Sequence, residues 1–428
     1  MEYLKQARTA RQNSREGVAG RVSEMLATIR RDGDAAIRAY SRELDGWDPE
    51  RFRVSDEAIR EARAALPDSV VDDIDFCQRQ VRRFAERQRE SLHGFEVETE
   101  PGVVLGQTLI PIDNVGAYIP GGRYPLVASA HMSIITAKVA GVERVVACTP
   151  PSRGGIYPAT LYSMAAAGAS EIYCLGGVQA LAAMVFGSSE VAPVDFLVGP
   201  GNAYVAEAKR QLFGEVGIDL LAGPTEILVI ADEDADPVIV AGDLLGQAEH
   251  GPDSPAVLIT TSRALGQAVI GEISRQLETL ATADVARVAW GDLGEVLLVE
   301  SDEEAASLAN AWAPEHLEVQ TRNLEWYQST LRNYGSLFLG EHSTVAHGDK
   351  TIGTNHILPT GRAARYTGGL WVGKFIKTVT YQRVHQRGGA LIGPICSRQC
   401  RLEGMEAHAV SVDLRLEKAA RATTPANS

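Results

Sequence analysis

Positive charge is scarce in this sequence: 41 Lys and Arg stand against 55 Asp and Glu, a formal net charge of -14 over 428 residues. A nucleic-acid groove and an anionic membrane surface both call for clustered Lys and Arg, so neither partner is expected, although a local basic cluster can still hold a small anion. Cysteine is sparse as well. Cys77, Cys148, Cys174, Cys396 and Cys400 are too few and too scattered for a disulfide framework, and Cys396-x-x-x-Cys400 has no second pair to complete a thiolate zinc site; all five are read as reduced thiols. No apolar run approaches the length that crosses a bilayer, and the opening MEYLKQARTARQNSREG lacks the apolar core of a secretory signal, which makes the cytoplasm the expected location. Gly-x-Gly-x-x-Gly between a strand and a helix is missing too, so dinucleotide binding is not legible from that fingerprint. Solenoid repeats and low-complexity segments are not found. What is present, 45% apolar and 22% charged residues, describes a globular chain long enough for two or more cores.

Residues 1 to 95 read as amphipathic helices: VAGRVSEMLATIRR, DAAIRAYSRELDGW and a third stretch from Asp56 to about Leu92 repeat apolar positions every three or four residues. From VVLGQTLIPIDNVGAYIPGGRYP onward, strand-like runs are punctuated by Gly and Pro. RVVACTP, EIYCLGG, DFLVGPG and EILVIAD alternate with PATLYSMAAAGA, VQALAAMVFG and NAYVAEAKRQLFG, the βαβ rhythm of a parallel sheet. AVLITTS, EVLLVES and GSLFLGE, separated by helices, give a second set. The fold class is therefore α/β, with two Rossmann-like parallel-sheet domains, a helical N-terminal extension and a small C-terminal one. The expected division is an arm over 1–20, a discontinuous domain over 21–117 and 226–370 with the metal and catalytic residues, a cofactor domain over 118–225, and an arm over 371–428. The tail KAARATTPANS is expected to fray.

The densest chemistry lies at Gly246-Gln247-Ala248-Glu249-His250-Gly251-Pro252-Asp253. Gln247 and His250 are three apart at the end of the apolar helical run DPVIVAGDLLGQAEH, so they leave one face about a turn apart and can reach one cation. Alone, a helical Gln-x-x-His is an ordinary surface pair. Glu315-His316 follow Pro314; as neighbours they cannot share a helix face, but at the mouth of a strand or loop they can flank one reacting carbon, the imidazole as base for an alcohol and the carboxylate for water. Gly199, Gly201 and Asn202 lie between a strand and a helix, where backbone N–H groups suit an anion such as pyrophosphate, or serve simply as turn residues.

GPGNAYVAEAKRQ, AGPTEILVIAD, QAEHGPDSP, PEHLEV and TNHILPT occur in order along the chain, and with them the sequence resembles the histidinol dehydrogenase family over nearly its whole length. The resemblance implies a Zn²⁺ held by Gln247, His250, Asp349 and His408, catalysis by Glu315 and His316, NAD contacts at Tyr118, Gln179 and Asn202, and substrate-facing positions at Thr225, His356 and Glu403. Thr225 stands where the family usually has Ser. It also implies a homodimer with shared active sites, the segment with Glu403 and His408 donated by the neighbour. GRAARYTGGLWVGKFIKTVTY and GMEAHA look like the sulfopropanediol dehydrogenase branch: Lys374 sits where histidinol enzymes usually have Asp, and with Arg362, Arg365 and Lys377 it forms a basic cluster suited to a sulfonate. Arg365 and Lys377 occur in both branches and are read as solvated charges. The function expected is a zinc-dependent, NAD-linked oxidation of a primary alcohol through an aldehyde to a carboxylate. The substrate expected is an anionic diol such as 2,3-dihydroxypropane-1-sulfonate. Histidinol is the alternative within the class, and a non-catalytic NAD- or metal-binding paralogue the alternative outside it.

Overall fold

Strands buried on both faces read as unbroken apolar runs, and Ile227–Ala231 (ILVIA) and Ala256–Thr260 (AVLIT) are buried at every position. They lie at the centre of the larger of two parallel sheets in a computed structural model, which describes residues 1–8, 15–121, 125–152 and 154–423. The chain forms two compact units, Met1–Arg89 with Ile112–Phe375, and Glu90–Pro111 with Ile376–Ser428. The strands in chain order are β1 (Glu2–Lys5), β2 (Phe95–Glu100), β3 (Val103–Pro111), β4 (Asn114–Tyr118), β5 (Arg144–Thr149), β6 (Glu171–Cys174), β7 (Phe196–Val198), β8 (Gly217–Ile218), β9 (Ile227–Ala231), β10 (Ala256–Thr260), β11 (Glu295–Leu298), β12 (His316–Gln320), β13 (Ser336–Leu339) and β14 (Ile376–Val384).

The first unit holds both parallel sheets. The five-stranded sheet runs β6-β5-β4-β7-β8, and the six-stranded sheet runs β1-β11-β10-β9-β12-β13. In each, the parallel strands build outward from a central strand, β4 or β9, first to one side and then to the other, with β1 added antiparallel at the edge of the larger sheet. This doubly wound order leaves a topological switch between β4 and β7 and another between β9 and β12. Helices α1 (Arg15–Asp32), α2 (Asp34–Asp45), α3 (Asp56–Ala64) and α4 (Asp68–Glu90) come first. Then α5 (Val127–Ala130), a π-turn (His131–Ile135) and α6 (Thr136–Ala140) form one continuous segment, followed by α7 (Pro158–Ala167), α8 (Gly177–Phe186) and α9 (Ala203–Leu212) around the smaller sheet. Around the larger sheet lie α10 (Pro237–Ala248), α11 (Arg263–Gln276), α12 (Ala283–Leu293), α13 (Asp302–Trp312), α14 (Leu324–Thr330) and α15 (Val345–Lys350). Val240, Ala241, Leu244, Leu245 and Ala248 of α10 pack on one sheet face with Ile227, Val229 and Ala231, while Leu228, Ile230, Leu317 and Val319 pack on the other.

The second unit is an antiparallel sheet, β14-β3-β2, with the helices α16 (Gln386–Leu402) and α17 (Glu406–Thr423). Leu391, Ile395, Leu402 and Leu414 are exposed on those helices.

Three expectations need correction. Glu2–Lys5 is a strand, antiparallel to β11, because the ladder at the sheet edge outweighs the local helical pattern. The third helical stretch is two helices, α3 and α4, interrupted at Leu66-Pro67, since a residue before Pro is pushed out of the α region. Lys418–Thr423 belongs to α17, the contact of that helix with α16 holding what polar composition alone would let fray. Residues 424–428 lie outside the described residues, as do Gly122, Arg123 and Tyr124 of GAYIPGGRYP.

Candidate active site

α13 ends at Ala313, whose φ of 53° is a left-handed conformation that a Cβ disfavours. Pro314 then turns the chain into β12, with Glu315 immediately before its first residue, His316. His316 Nδ1 lies 3.0 Å from the Glu226 carbonyl, and a carbonyl only accepts, so Nδ1 carries the proton and Nε2 keeps its lone pair. Nε2 is buried with no hydrogen-bond partner among the described residues. Burial pushes the imidazole pKa down to about 4, which fixes the ring neutral at ordinary pH.

The Glu315 carboxyl is buried beside it, Oε2 standing 3.6 Å from His316 Nδ1. That oxygen accepts from Thr225 Oγ1 at 2.5 Å and from the Glu226 backbone N–H at 3.0 Å. Burial raises its pKa well above the usual carboxylate range against these two hydrogen bonds, which favour the ionised form. Thr225 Oγ1 in turn accepts from Gln247 Nε2 at 2.7 Å. A continuous chain of hydrogen bonds therefore runs Gln247, Thr225, Glu315.

Gln247 lies in the last turn of α10, a helix capped by Asp236, whose side chain accepts from Val238 N–H, and begun by Pro237. With Nε2 taken by Thr225, its Oε1 is left buried and without a partner among the described residues. His250, just past the helix end, is exposed; the surrounding protein lowers its pKa and Asp349 opposes that. Burial would raise the Asp349 carboxyl, but His356, His316, Lys350 and His250 together hold it low. An orphaned amide oxygen, an imidazole and a low-pKa carboxylate form a donor set that suits zinc, thiolate-free as in a catalytic rather than a structural site. Among the described residues no group of three or more His, Cys, Asp or Glu is arranged to hold a metal ion. Glu403 and His408 are exposed on the second unit, at the end of α16 and in the first turn of α17.

His356 has both nitrogens engaged, Nε2 with Ser129 Oγ at 3.1 Å and Nδ1 with the Asp349 carbonyl at 3.2 Å. Lys374 Nζ donates to Thr367 Oγ1 at 3.0 Å. Arg362 is exposed, with a left-handed φ of 70°. Its neighbour Gly361 donates its N–H to Glu226 Oε1 at 3.0 Å, so this turn is tied to the residue whose carbonyl holds His316.

The smaller sheet gathers the remaining residues at the carboxyl ends of its strands. Tyr118 ends β4, Asn202 follows β7, and Gln179 sits in the first turn of α8 after β6. Tyr118 and Asn202 thus flank the β4–β7 switch, where open parallel sheets take ligands. The Tyr118 hydroxyl, raised to about 12 by burial, accepts from Gly177 N–H at 3.1 Å. Gln179 Nε2 donates to Asp45 Oδ2 at 2.8 Å, while its Oε1 is buried without a partner among the described residues. Asn202 is the N-cap of α9, its Oδ1 accepting from Tyr204 and Val205 N–H. Gly199 has φ of 121°, and a Cβ there would sit 2.0 Å from the Tyr118 carbonyl; only glycine lets β4 and the β7 loop approach this closely.

Sequence reasoning passed over Asp45, Ser129, Glu226, Asp243 and Glu318. One signal was available for the last: HLEVQ puts a polar residue at every second position of a central parallel strand, where apolar residues are the rule.

The family model described as histidinol dehydrogenase matches residues 8–416. A "Histidinol dehydrogenase homolog" of Shouchella clausii is 55% identical over 97% of this chain and 99% of that one. A "Sulfopropanediol 3-dehydrogenase" of Ruegeria pomeroyi is 47% identical over 98% and 97%. The crystal structure of a histidinol dehydrogenase from Elizabethkingia anophelis superposes with a TM-score of 0.91 at 36% identity, over 96% of this chain and 94% of that one. The chain belongs to the histidinol dehydrogenase family.

Proposed function

We propose that the protein is a zinc-dependent, NAD-linked dehydrogenase that oxidises a primary alcohol through a retained aldehyde to a carboxylate. Its substrate is an anionic diol such as 2,3-dihydroxypropane-1-sulfonate, giving sulfolactate. One observation carries the reading: His316 is buried, neutral and locked at Nδ1, with a bare Nε2 and a high-pKa carboxyl next to it. Gln247, His250 and Asp349, with His408, would hold the zinc, and the two cofactors when bound supply a Lewis acid for the alcohol oxygen and an acceptor for hydride. His316 Nε2 takes the hydroxyl proton, and the Glu226 carbonyl steadies the resulting imidazolium through Nδ1–H. Glu315, whose raised proton affinity makes it a stronger base than a solvated carboxylate, takes a proton from the water that hydrates the aldehyde. Thr225 orients Glu315 and at the same time fixes the Gln247 amide. The two parallel sheets divide the labour, the smaller one holding the dinucleotide through Tyr118, Gln179 and Asn202.

A sulfonate stays ionised at any working pH, so it requires fixed positive charge. Lys374 and Arg362 supply it in this reading, supported by the relative named for that activity. The site is completed by a second copy of the chain, which contributes Glu403 and His408; the exposed Leu391, Ile395, Leu402 and Leu414 on the same helices are suited to such a contact. A cytoplasmic location accords with five unpaired cysteines.

The test is NADH formation with 2,3-dihydroxypropane-1-sulfonate, histidinol and an uncharged diol, together with identification of the product. The sulfonate should yield a carboxylate and two NADH per alcohol, each hydride reducing one NAD. Turnover of histidinol with the sulfonate ignored would replace the substrate and leave the chemistry standing. No NADH with any alcohol would favour the non-catalytic paralogue.

A further inference from the structure

Two carboxyl groups meet in the packing of the larger sheet, Glu318 fully buried and Asp243 half-buried. Glu318 and Gln320 follow His316 at alternate positions of β12, so all three point to the face covered by α10 and α15. Asp243 lies one turn before Gln247 on α10, so those two share a helix face. Asp243 Oδ1 accepts from Thr344 Oγ1 at 2.9 Å, and Oδ2 accepts from Gln320 Nε2 at 2.9 Å. Glu318 Oε1 accepts from the Val345 N–H at 2.9 Å, while Oε2 is only 3.4 Å from the same Gln320 amide. Asp243 Oδ2 and Glu318 Oε2 are thus held side by side on the one Gln320 amide, and two carboxyl oxygens brought together in this way attract each other only if one of them carries a proton. The partners decide which. Both Asp243 oxygens and Glu318 Oε1 accept at 2.9 Å, whereas Glu318 Oε2 has only the long 3.4 Å contact with Gln320 and is the oxygen best placed to carry O–H. Thr344 also caps α15 through Ala346 N–H, so both carboxyls grip the start of the helix that carries Asp349.

We propose that Glu318 donates a shared proton to Asp243, and that this clamp positions α10, β12 and α15, the three segments that carry Gln247, His316 and Asp349. Burial raises the proton affinity of both groups, and the Asp243 charge raises Glu318 further. His347 on α15 also acts on Asp243 and favours its ionised form. Asp243 and Glu318 are positioning residues, since neither contacts a group assigned above to metal or substrate.

Glutamine reproduces a protonated glutamic acid, one oxygen that accepts and one group that donates, in the same shape. Asparagine is a poor replacement for an ionised aspartate here: its NH₂ would meet either the Gln320 amide, which only donates, or the Thr344 hydroxyl, which would have to give up the bond it donates and accept instead. Glu318→Gln should therefore keep kcat within about threefold of wild type, while Asp243→Asn and Glu318→Ala lose at least about thirtyfold with KM for NAD little changed. Hydrogen exchange over 344–350 should stay slow in Glu318→Gln and quicken by at least about tenfold in Glu318→Ala, where the Val345 amide has lost its acceptor. The activity arm rests on the function proposed above; the exchange arm does not. A wild type that neither holds zinc nor reduces NAD would sink that function, and exchange alone would then decide the clamp. Equal behaviour of Glu318→Gln and Glu318→Ala in exchange, or tolerance of Asp243→Asn, would overturn the clamp. Should Glu318→Ala fail to fold, the contrast between Glu318→Gln and Asp243→Asn carries the same decision.

Discussion

His316 has two nitrogens in unlike surroundings, and the difference assigns its work. In the proposed mechanism the nitrogen bound to a carbonyl cannot be the base, which leaves Nε2, without a partner among the described residues, to take the proton. Glu315 is held the other way round, with Oε2 doubly bonded, so the adjacent pair divides by role. Glu315→Gln should retain alcohol-to-aldehyde oxidation better than aldehyde-to-acid oxidation. The check is to assay each half-reaction separately; equal losses in both would remove the water-activating role. Thr225→Val should break the chain from Gln247 to Glu315, leaving two buried polar groups unpaired at a cost of about 1–3 kcal/mol. Thr225→Ser, which keeps the hydroxyl, should restore activity, and kcat for the three proteins measures the difference. The types and spacing of these side chains, seen within their motifs, were visible in the sequence. The tautomer of His316 was not, since it depends on the backbone carbonyl of Glu226, distant in sequence and just before another strand, which carries no side-chain signal.

At the scale of elements, the two sheets share a winding but offer opposite edges. Tyr118 and Asn202 stand at the carboxyl ends of β4 and β7, the edge expected of an open parallel sheet. Thr225 and Glu226 precede β9, and Glu315 precedes β12, which His316 opens, so the pair proposed for catalysis occupies the amino-terminal edge at the second switch. Nothing in the sequence foretells that reversal, because it arises from where α10 and α15 end. The apolar runs of β9, β10, β11 and β13 were legible as strands, and α10 was legible from its periodicity and from Gly251-Pro252. Asp243 was not, being one among 55 acidic residues, and Glu318 showed only through the alternation in HLEVQ; that the two meet depends on packing a helix against a strand. Gly199→Ala should force β4 and the β7 loop apart, given the 2.0 Å approach. Weaker NAD binding, with the metal content unchanged, is the expected outcome by calorimetry and elemental analysis.

For the whole molecule, acid should destabilise before alkali does, through buried imidazoles. His316 is pushed down to about 4 and His131 to about 3, chiefly by burial, whereas in the unfolded chain each titrates near 6.5. The unfolded state therefore binds more protons between those values. The stability these groups contribute is complete above about 6.5 and is lost as pH falls toward 4 and 3. Thermal unfolding should show a midpoint several degrees lower at pH 5 than at pH 7, with a smaller drop in His131→Gln. If sites are shared between two chains, His316→Ala and His408→Ala proteins should each be inactive alone, yet regain about a quarter of wild-type activity after unfolding and reassembly together, because half the dimers then carry one intact site. No recovery in the mixture would argue for sites built within one chain.

The polar face of β12 also bears on how this protein can change over generations. His316, Glu318 and Gln320 occupy core positions that valine or leucine would fill more favourably, so the centre of the larger sheet is where heat resistance has been forgone. Selection for survival of heating alone would drift toward greasy replacements there and discard turnover first, whereas selection for turnover must find its extra ruggedness on the distant surface.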